Sequence, residues 1–267
     1  MIHCPNCSHE FQDPDEVPEE VGTKVAPGDI FQLGRHRLFC GDSTNFKNLD
    51  KLMGSQKPNL VYTDPPYGLG YVGDFYQDSV SKKATEFQRE TNSFPQLTGD
   101  TGNWDWDPSP ILDYFKDTKE IFLWGADYYS GYLPKFGSWV VWNKISEHQK
   151  MDNMPGASFE LCWSKSKHKR HLFNLTWRGC FGHNRITDGA KKVHPTQKPV
   201  KLAELFFKKW GGGLVVDLFG GSGSTLISCE RTDNRCFMME IEPNYCSVII
   251  ARWEKFTGKK AELVSSA

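Results

Sequence analysis

Short apolar runs recur along this chain, and most lack the polar alternation of a half-exposed strand. They fall at residues 38–40, 60–63, 121–124, 139–142, 161–163, 214–218 and 236–241. Several are bounded by turn residues, the pattern of parallel strands buried on both faces. Apolar residues at helical spacing lie between some of them, at 200–210, 225–231 and 245–256. This alternation predicts an α/β fold with an open, mostly parallel central sheet and helices on both faces. No internal repeat is present.

The flanking segments read differently. Residues 1–12 suggest a small Cys-containing knob, and residues 13–29, rich in Pro, Glu and Gly, suggest a linker. Residues 30–267 then form the main domain. Inside it, residues 68–110 are polar and weakly periodic. An insert of that length is usually a functional lid or a disordered segment.

Composition narrows the class. With 267 residues, 38% hydrophobic and 24% charged, the chain can bury a core and reads as soluble. No apolar run reaches the ~18 residues of a membrane span. The first residues lack an apolar signal core, so a cytoplasmic protein of a bacterium, archaeon or phage is expected. Four of the eight cysteines, Cys162, Cys229, Cys236 and Cys246, lie in or beside apolar stretches and are expected as buried free thiols.

The net charge of −1 does not mark a nucleic-acid binder, but its distribution does. Lysines or arginines stand at 165, 167, 169, 170, 178, 185, 191, 192, 198 and 201, against the single acid Asp188 in that interval. Residues 1–30 are predominantly acidic. A basic block inside a near-neutral protein is the footprint expected where phosphates are contacted.

Two motifs carry chemistry. Asp217-Leu-Phe219-Gly220-Gly221-Ser-Gly223-Ser-Thr225 follows an apolar run and precedes a helical pattern. It reads as a strand, a glycine turn and a helix N-terminus, a place where backbone approaches a ligand closely and amides favour an anion. The next strand-like run ends at Glu240, where doubly wound folds place an acid against ribose hydroxyls. The second motif, Asp64-Pro65-Pro66-Tyr67, follows the run at 60–63. Its prolines fix φ and stiffen the strand end, so the Asp64 carboxylate and the Pro65 carbonyl become fixed acceptors beside the flat ring of Tyr67. Such a set suits a planar base bearing an NH2 group.

Asp64-Pro-Pro-Tyr67 together with Phe219-Gly-Gly-Ser-Gly223 resembles the DNA amino-methyltransferases acting on adenine N6 or cytosine N4. The order of the two motifs is similar to the β group, a circular permutation of the usual methyltransferase order. The resemblance covers residues 28–257. It implies a Rossmann-like methyltransferase fold, S-adenosylmethionine as cofactor and double-stranded DNA as partner. The segment His36–Cys40-Gly-Asp42 looks like the strand whose acid contacts the cofactor adenine, which nominates Asp42. His194-Pro-Thr-Gln-Lys198-Pro199 looks like the motif that helps hold the cofactor. Leu218 and Ser224 are mild departures from the family's DPFxGSGTT loop.

The resemblance further implies direct methyl transfer to a flipped base stacked on Tyr67, with the amine held by Asp64 and the Pro65 carbonyl and Pro66 keeping the motif rigid. No Pro-Cys dipeptide is present, which disfavours the thiol route of cytosine-C5 enzymes. Asp rather than Ser before Pro-Pro-Tyr favours adenine N6 over cytosine N4. The rival readings are an enzyme of RNA or protein glutamine, and a catalytically silent DNA-binding module. Residues 165–193 lie where the β group keeps its target-recognition region, which nominates Lys169, Arg170, Arg178, Arg185, Lys191 and Lys192 for DNA contact. Cys4-Pro-Asn-Cys7 is half of a zinc site, for which His3, His9 or Cys40 are candidate partners. The sequence does not decide between a monomer and a homodimer, nor name a companion restriction endonuclease.

Overall fold

A computed structural model describes residues 2–3, 10–11, 13–18, 21–67, 106–145, 157–177 and 197–266. In chain order the elements are β1 (Ile2–His3), β2 (Glu10–Phe11), β3 (Ile30–Leu33), β4 (His36–Cys40), α1 (Phe46–Met53), β5 (Leu60–Thr63), α2 (Ser109–Tyr114) and β6 (Glu120–Trp124). After a 3-10 turn at Ser130–Tyr132 come β7 (Ser138–Asn143), β8 (Phe159–Ser164), β9 (His171–Asn174) and α3 (Val200–Trp210). The chain ends with β10 (Leu214–Asp217), α4 (Ser224–Arg231), β11 (Arg235–Glu240), α5 (Pro243–Thr257) and β12 (Glu262–Ser265).

β1 and β2 pair with each other, and the other strands form one sheet in the order β12-β3-β4-β11-β10-β5-β6-β8-β7-β9. Its centre, from β4 through β11, β10 and β5 to β6, is parallel throughout. The pairs β12–β3, β3–β4, β6–β8 and β7–β8 are antiparallel, so the sheet is mixed toward its edges. α/β architecture with helices on both faces stands as the sequence indicated.

Successive strand residues alternate between two cores, as period-2 geometry requires. Leu38, Tyr62, Phe122, Trp124, Val215 and Met238 face the layer of α3, α4 and α5. Phe39, Val61, Ile121, Leu123, Val216 and Phe237 face the layer of α1 and α2. Double burial explains why these strands are apolar without alternation. Each such side chain contributes roughly 1.5–3 kcal/mol on burial.

Two local features reach the site. α1 is capped by Asn45, whose side chain accepts from the Lys47 amide, and it buries Leu49, Leu52 and Met53 on one stripe. α3 begins after Pro199, which has no capping side chain. Its first amide, that of Val200, donates instead to the Asp15 carboxylate at 2.8 Å.

Residues 13–18, expected as part of a linker, are therefore docked. Val17 is buried, the Asp15 carbonyl accepts from Gln197 Nε2, and the buried Arg252 donates to the Pro14 carbonyl at 2.8 Å. An acid that caps a distant helix cannot stay solvated, and this fixes the segment.

Candidate active site

The two chemical motifs meet because β5 and β10 are adjacent parallel strands, so their carboxyl ends open on the same edge. Ligands of open α/β sheets bind at that edge, where crossovers leave toward opposite faces. Here β4 is followed by α1 on one face and β10 by α4 on the other. From β4 to β6 the edge presents Asp42, Glu240, Asp217, Asp64 and the Gly125–Tyr129 turn. The Thr63 hydroxyl ties the two motifs by donating to Asp217 Oδ1 at 2.9 Å while accepting the Leu218 amide at 3.0 Å.

The glycine turn is built as its residues demand. Gly223 has φ +80° and precedes α4 directly, a left-handed backbone that side chains rarely adopt. Thr225 is buried in the first helical turn and Phe219 is half-buried against Trp106. The Gly220 amide donates to the Met239 carbonyl, which holds the turn against β11. Glu240 accepts the Gly221 amide at 2.7 Å and the Glu242 amide at 2.9 Å. Burial pushes the Glu240 carboxyl up to about 7, and burial likewise pushes Asp217 up to about 7. Two buried acids flanking a glycine turn make its surroundings favourable to hydroxyls and positive charge. Asp42 is exposed and accepts the Thr44 amide and hydroxyl, closing the turn into α1 at the rim of the same edge.

Beside this turn lies a charge ladder. Lys198 forms an ion pair with Asp64 Oδ2, and its ammonium is 3.1 Å from Glu160 Oε2. Glu160 pairs through its other oxygen with Lys144. Glu160 Oε2 is buried without a hydrogen bond of good geometry, so its contact with Lys198 is an ion-pair contact. Burial alone pulls the Lys198 ammonium down, but Asp64 and Glu160 outweigh it and hold Lys198 above the usual lysine range. Burial pushes the Asp64 carboxyl above its ordinary range, with Lys198 opposing. The Tyr67 hydroxyl donates to Asp64 Oδ1, and burial and the Asp64 charge keep that phenol protonated. Lys198, nominated for the cofactor, thus stands within the Asp64 cluster.

Tyr67 presents its ring as a plate. It stacks on Tyr128 with centroids 5.1 Å apart and planes 17° apart, and Tyr128 is 54% exposed. Gly125, φ +64°, lies against the ring so closely that a Cβ there would sit 1.9 Å from Tyr67 Cε1. Glu160, Lys144, Gly125 and Tyr128 were not singled out from the sequence, because each comes from a strand or turn remote in the chain. Trp106 packs edge-on against Tyr129.

The basic block is not one surface. β8 runs antiparallel to β6 and β7, so the turn after it lies at the amino-terminal edge of those strands. Lys169 and Arg170 sit there, exposed, and the Ser138 hydroxyl donates to the neighbouring His168 carbonyl. That is roughly 20 Å along β7 from the Asp64 edge, which removes these two from contact with a base held at Asp64. Lys165 is spent on the carbonyls of Lys116 and Thr118. β9 then carries the chain back to the Asp64 edge, where the Trp177 indole donates to the Gln197 carbonyl at 3.2 Å. Arg178, Arg185, Lys191 and Lys192 fall outside the described residues, as do Trp104 and most of the insert at 68–110.

Cys4 and Cys7 also fall outside them. Cys40 is buried in the core beside Cys246, which removes it as a zinc partner. Among the described residues no cluster of metal-ligating side chains occurs. The five described cysteines are buried free thiols, the four expected among them. No described helix is long and apolar enough to cross a membrane.

The family model for N6/N4 DNA methylases matches residues 88–251, more than half of the chain. The chain belongs to the N6/N4 DNA methylase family. Its Asp64–Tyr67 motif lies upstream of the matched stretch, and the pairing of β5 with β10 is what puts it beside the glycine turn. This DNA methylase is 24% identical over 257 residues to the type II methyltransferase M.HpaI of Haemophilus parainfluenzae, covering 83% of the chain and 76% of that protein. Among solved structures it is similar to the cytosine-N4-specific PvuII DNA methyltransferase, at 18% identity and a TM-score of 0.48, covering 90% of this chain and 94% of that one. It is also similar to the complex of M1.HpyAVI with SAM, at 16% identity and a TM-score of 0.44, covering 80% and 97%.

Proposed function

We propose that this DNA methylase transfers a methyl group from S-adenosylmethionine to the N6 amine of an adenine flipped out of duplex DNA. The observation that carries the reading is the juxtaposition of Asp64 and Tyr67 with the glycine turn, tied by the Thr63–Asp217 hydrogen bond. Membership of the family supports a methyl donor, and the buried acids beside the glycine turn support one of adenosyl type. Glu240 and Asp217, both buried and both raised to about 7, gain from a ribose diol and a cationic ligand. When bound, S-adenosylmethionine supplies an already electrophilic methyl group.

This chain's residues do the rest. Tyr67 offers its ring to the base, and Asp64 and the Pro65 carbonyl accept hydrogen bonds from the amine. Those bonds favour a pyramidal nitrogen whose lone pair points along the line of transfer, so orientation is the main catalytic device. The bound donor would supply the methyl carbon for the new N–C bond and keep the sulfur electron pair, and Asp64 would take the surplus proton from the nitrogen. Aspartate rather than serine at position 64 supports adenine over cytosine. Residues 178–196 leave and rejoin the described chain at Trp177 and Gln197, on the site's own edge, which supports Arg178, Arg185, Lys191 and Lys192 as DNA contacts. The test is expression in a methylation-free host, with modification-sensitive sequencing of its DNA. N6-methyladenine at one short sequence is the expected result. N4-methylcytosine overturns the choice of base, and unmodified DNA beside labelled RNA or protein overturns the substrate class.

A further inference from the structure

We propose that Lys198 reads the target base, donating a hydrogen bond to the ring nitrogen next to the amine that Asp64 accepts. The inference rests on the proposed base-flipping reaction and names how the same pocket chooses its base. Adenine and cytosine share one edge pattern, an amine donor flanked by a ring-nitrogen acceptor. Guanine and thymine reverse it, with a carbonyl acceptor flanked by an N–H donor. An extruded base is read on that edge. The complementary protein edge is an acceptor beside a donor, and Asp64 Oδ2 in contact with the Lys198 ammonium is such a pair.

The ammonium has the capacity to do this. It carries three donors. One goes to Asp64, and a second faces Glu160 at 3.1 Å. The third is held loosely, by the Tyr67 hydroxyl at a long 3.3 Å, while the Trp124 ring centroid lies 5.2 Å from the ammonium. This weakly held third donor lies at the rim of the Tyr67 plate, with the ammonium 5.8 Å from the ring centroid. The Lys198 side chain is 10% exposed, so its bonding partners come from the protein or from a bound base rather than bulk water. Glu160, itself neutralised by Lys144, supplies Lys198 with a second counter-charge. Asp64 therefore keeps acceptor capacity for the incoming amine while the lysine stays charged. Guanine or thymine would set a carbonyl acceptor against the Asp64 acceptor and an N–H donor against the Lys198 donor, so neither base edge would be satisfied in the pocket.

The experiment removes the ring nitrogen and keeps the amine. Once sequencing has given the recognition sequence, duplexes carry adenine or 1-deazaadenine at the target, opposite an abasic position so that pairing strength does not differ. If the target is cytosine, cytosine and 3-deazacytosine replace them. Wild-type enzyme is expected to lose about 10- to 100-fold in kcat/KM on the deaza base, the worth of a charged hydrogen bond. Lys198→Met is expected to be slower on both bases and nearly indifferent between them.

The proposal is overturned if the wild type treats the two bases alike. It is also overturned if Lys198→Met keeps the wild-type ratio, since the lysine would then only position Asp64. Where the Met variant turns over too slowly, the same ratio is read from oligonucleotide affinities by fluorescence anisotropy. Where it fails to fold, Lys198→Arg, which keeps a donor, must retain the wild-type ratio, and a ratio of one overturns the proposal. Methylation of neither base by wild type is a failure of the proposed function, distinct from normal methylation of both.

Discussion

Replacing Gly125 by alanine separates two effects that the structure makes quantitative. The residue sits at φ +64°, where an alanine costs roughly 1–2 kcal/mol. For a domain of this size that is a fall in Tm of roughly 2–8 °C. The new Cβ would also stand 1.9 Å from Tyr67 Cε1 and 2.4 Å from Cδ1 and Cζ. Carbon atoms rest at about 3.5–4.0 Å, so the ring must withdraw by an amount that tilts it off Tyr128 or pulls its hydroxyl from Asp64. Stacking of a base on an aromatic ring is worth about 1–3 kcal/mol, which sets the expected loss in kcat/KM for DNA at roughly 5- to 150-fold. Cofactor affinity, read by calorimetry, stays near wild type because the glycine turn lies between β10 and α4, away from Gly125 in the chain. The assay is initial-rate transfer of labelled methyl to DNA at a temperature well below either Tm. A folded Gly125→Ala enzyme with wild-type kcat/KM would refute the claim that Gly125 sets the position of the plate.

Further expectations follow from the buried charges. Burial raises Asp217 to about 7 from an ordinary 3.8, so the native protein binds that proton more tightly than the unfolded chain does. Between about pH 4 and 7 this group therefore lowers the stability of the cofactor-free protein as pH rises, by a few kcal/mol in total. Asp217→Asn should unfold at higher temperature than wild type above pH 7, with the gain shrinking as pH falls toward 4, and should bind cofactor more weakly. A gain in Tm that is the same at every pH contradicts this. Asp15→Ala removes the cap on the Val200 amide and the acid 3.9 Å from the buried Arg252. A loss of about 1–3 kcal/mol in denaturant unfolding is expected, and unchanged stability would show that the docked segment contributes nothing.

The central strands were legible because burial on both faces makes them continuous apolar runs, and β5 matches its run at 60–63 residue for residue. α3 spans 200–210 as read, because its apolar stripe is long. The strands β3, β9 and β12 escaped notice. β9 and β12 are the edge strands of the sheet and β12 is exposed at all four positions, while β3 is only four residues long and half of it is buried. α1 escaped because eight residues give little periodicity, although Asn45 and the spacing of Leu49, Leu52 and Met53 were present. Asp64, Tyr67, Asp217 and Glu240 could be picked out because each stands at a strand end or just beyond it within a local motif. The Lys198–Glu160–Lys144 ladder was not, because it depends on β8 crossing antiparallel beside β6. The same crossing splits a basic block that is continuous only in sequence, and sends Lys169 and Arg170 to the far edge.

The decisive measurement is single-turnover transfer of labelled methyl to DNA by Asp64→Ala, with folding checked by circular dichroism and cofactor binding checked by calorimetry. With Asp64 as the acceptor that orients the amine, the rate should fall about 100- to 1,000-fold, while the variant still binds cofactor. A folded, cofactor-binding Asp64→Ala enzyme that transfers methyl at the wild-type rate would contradict the account.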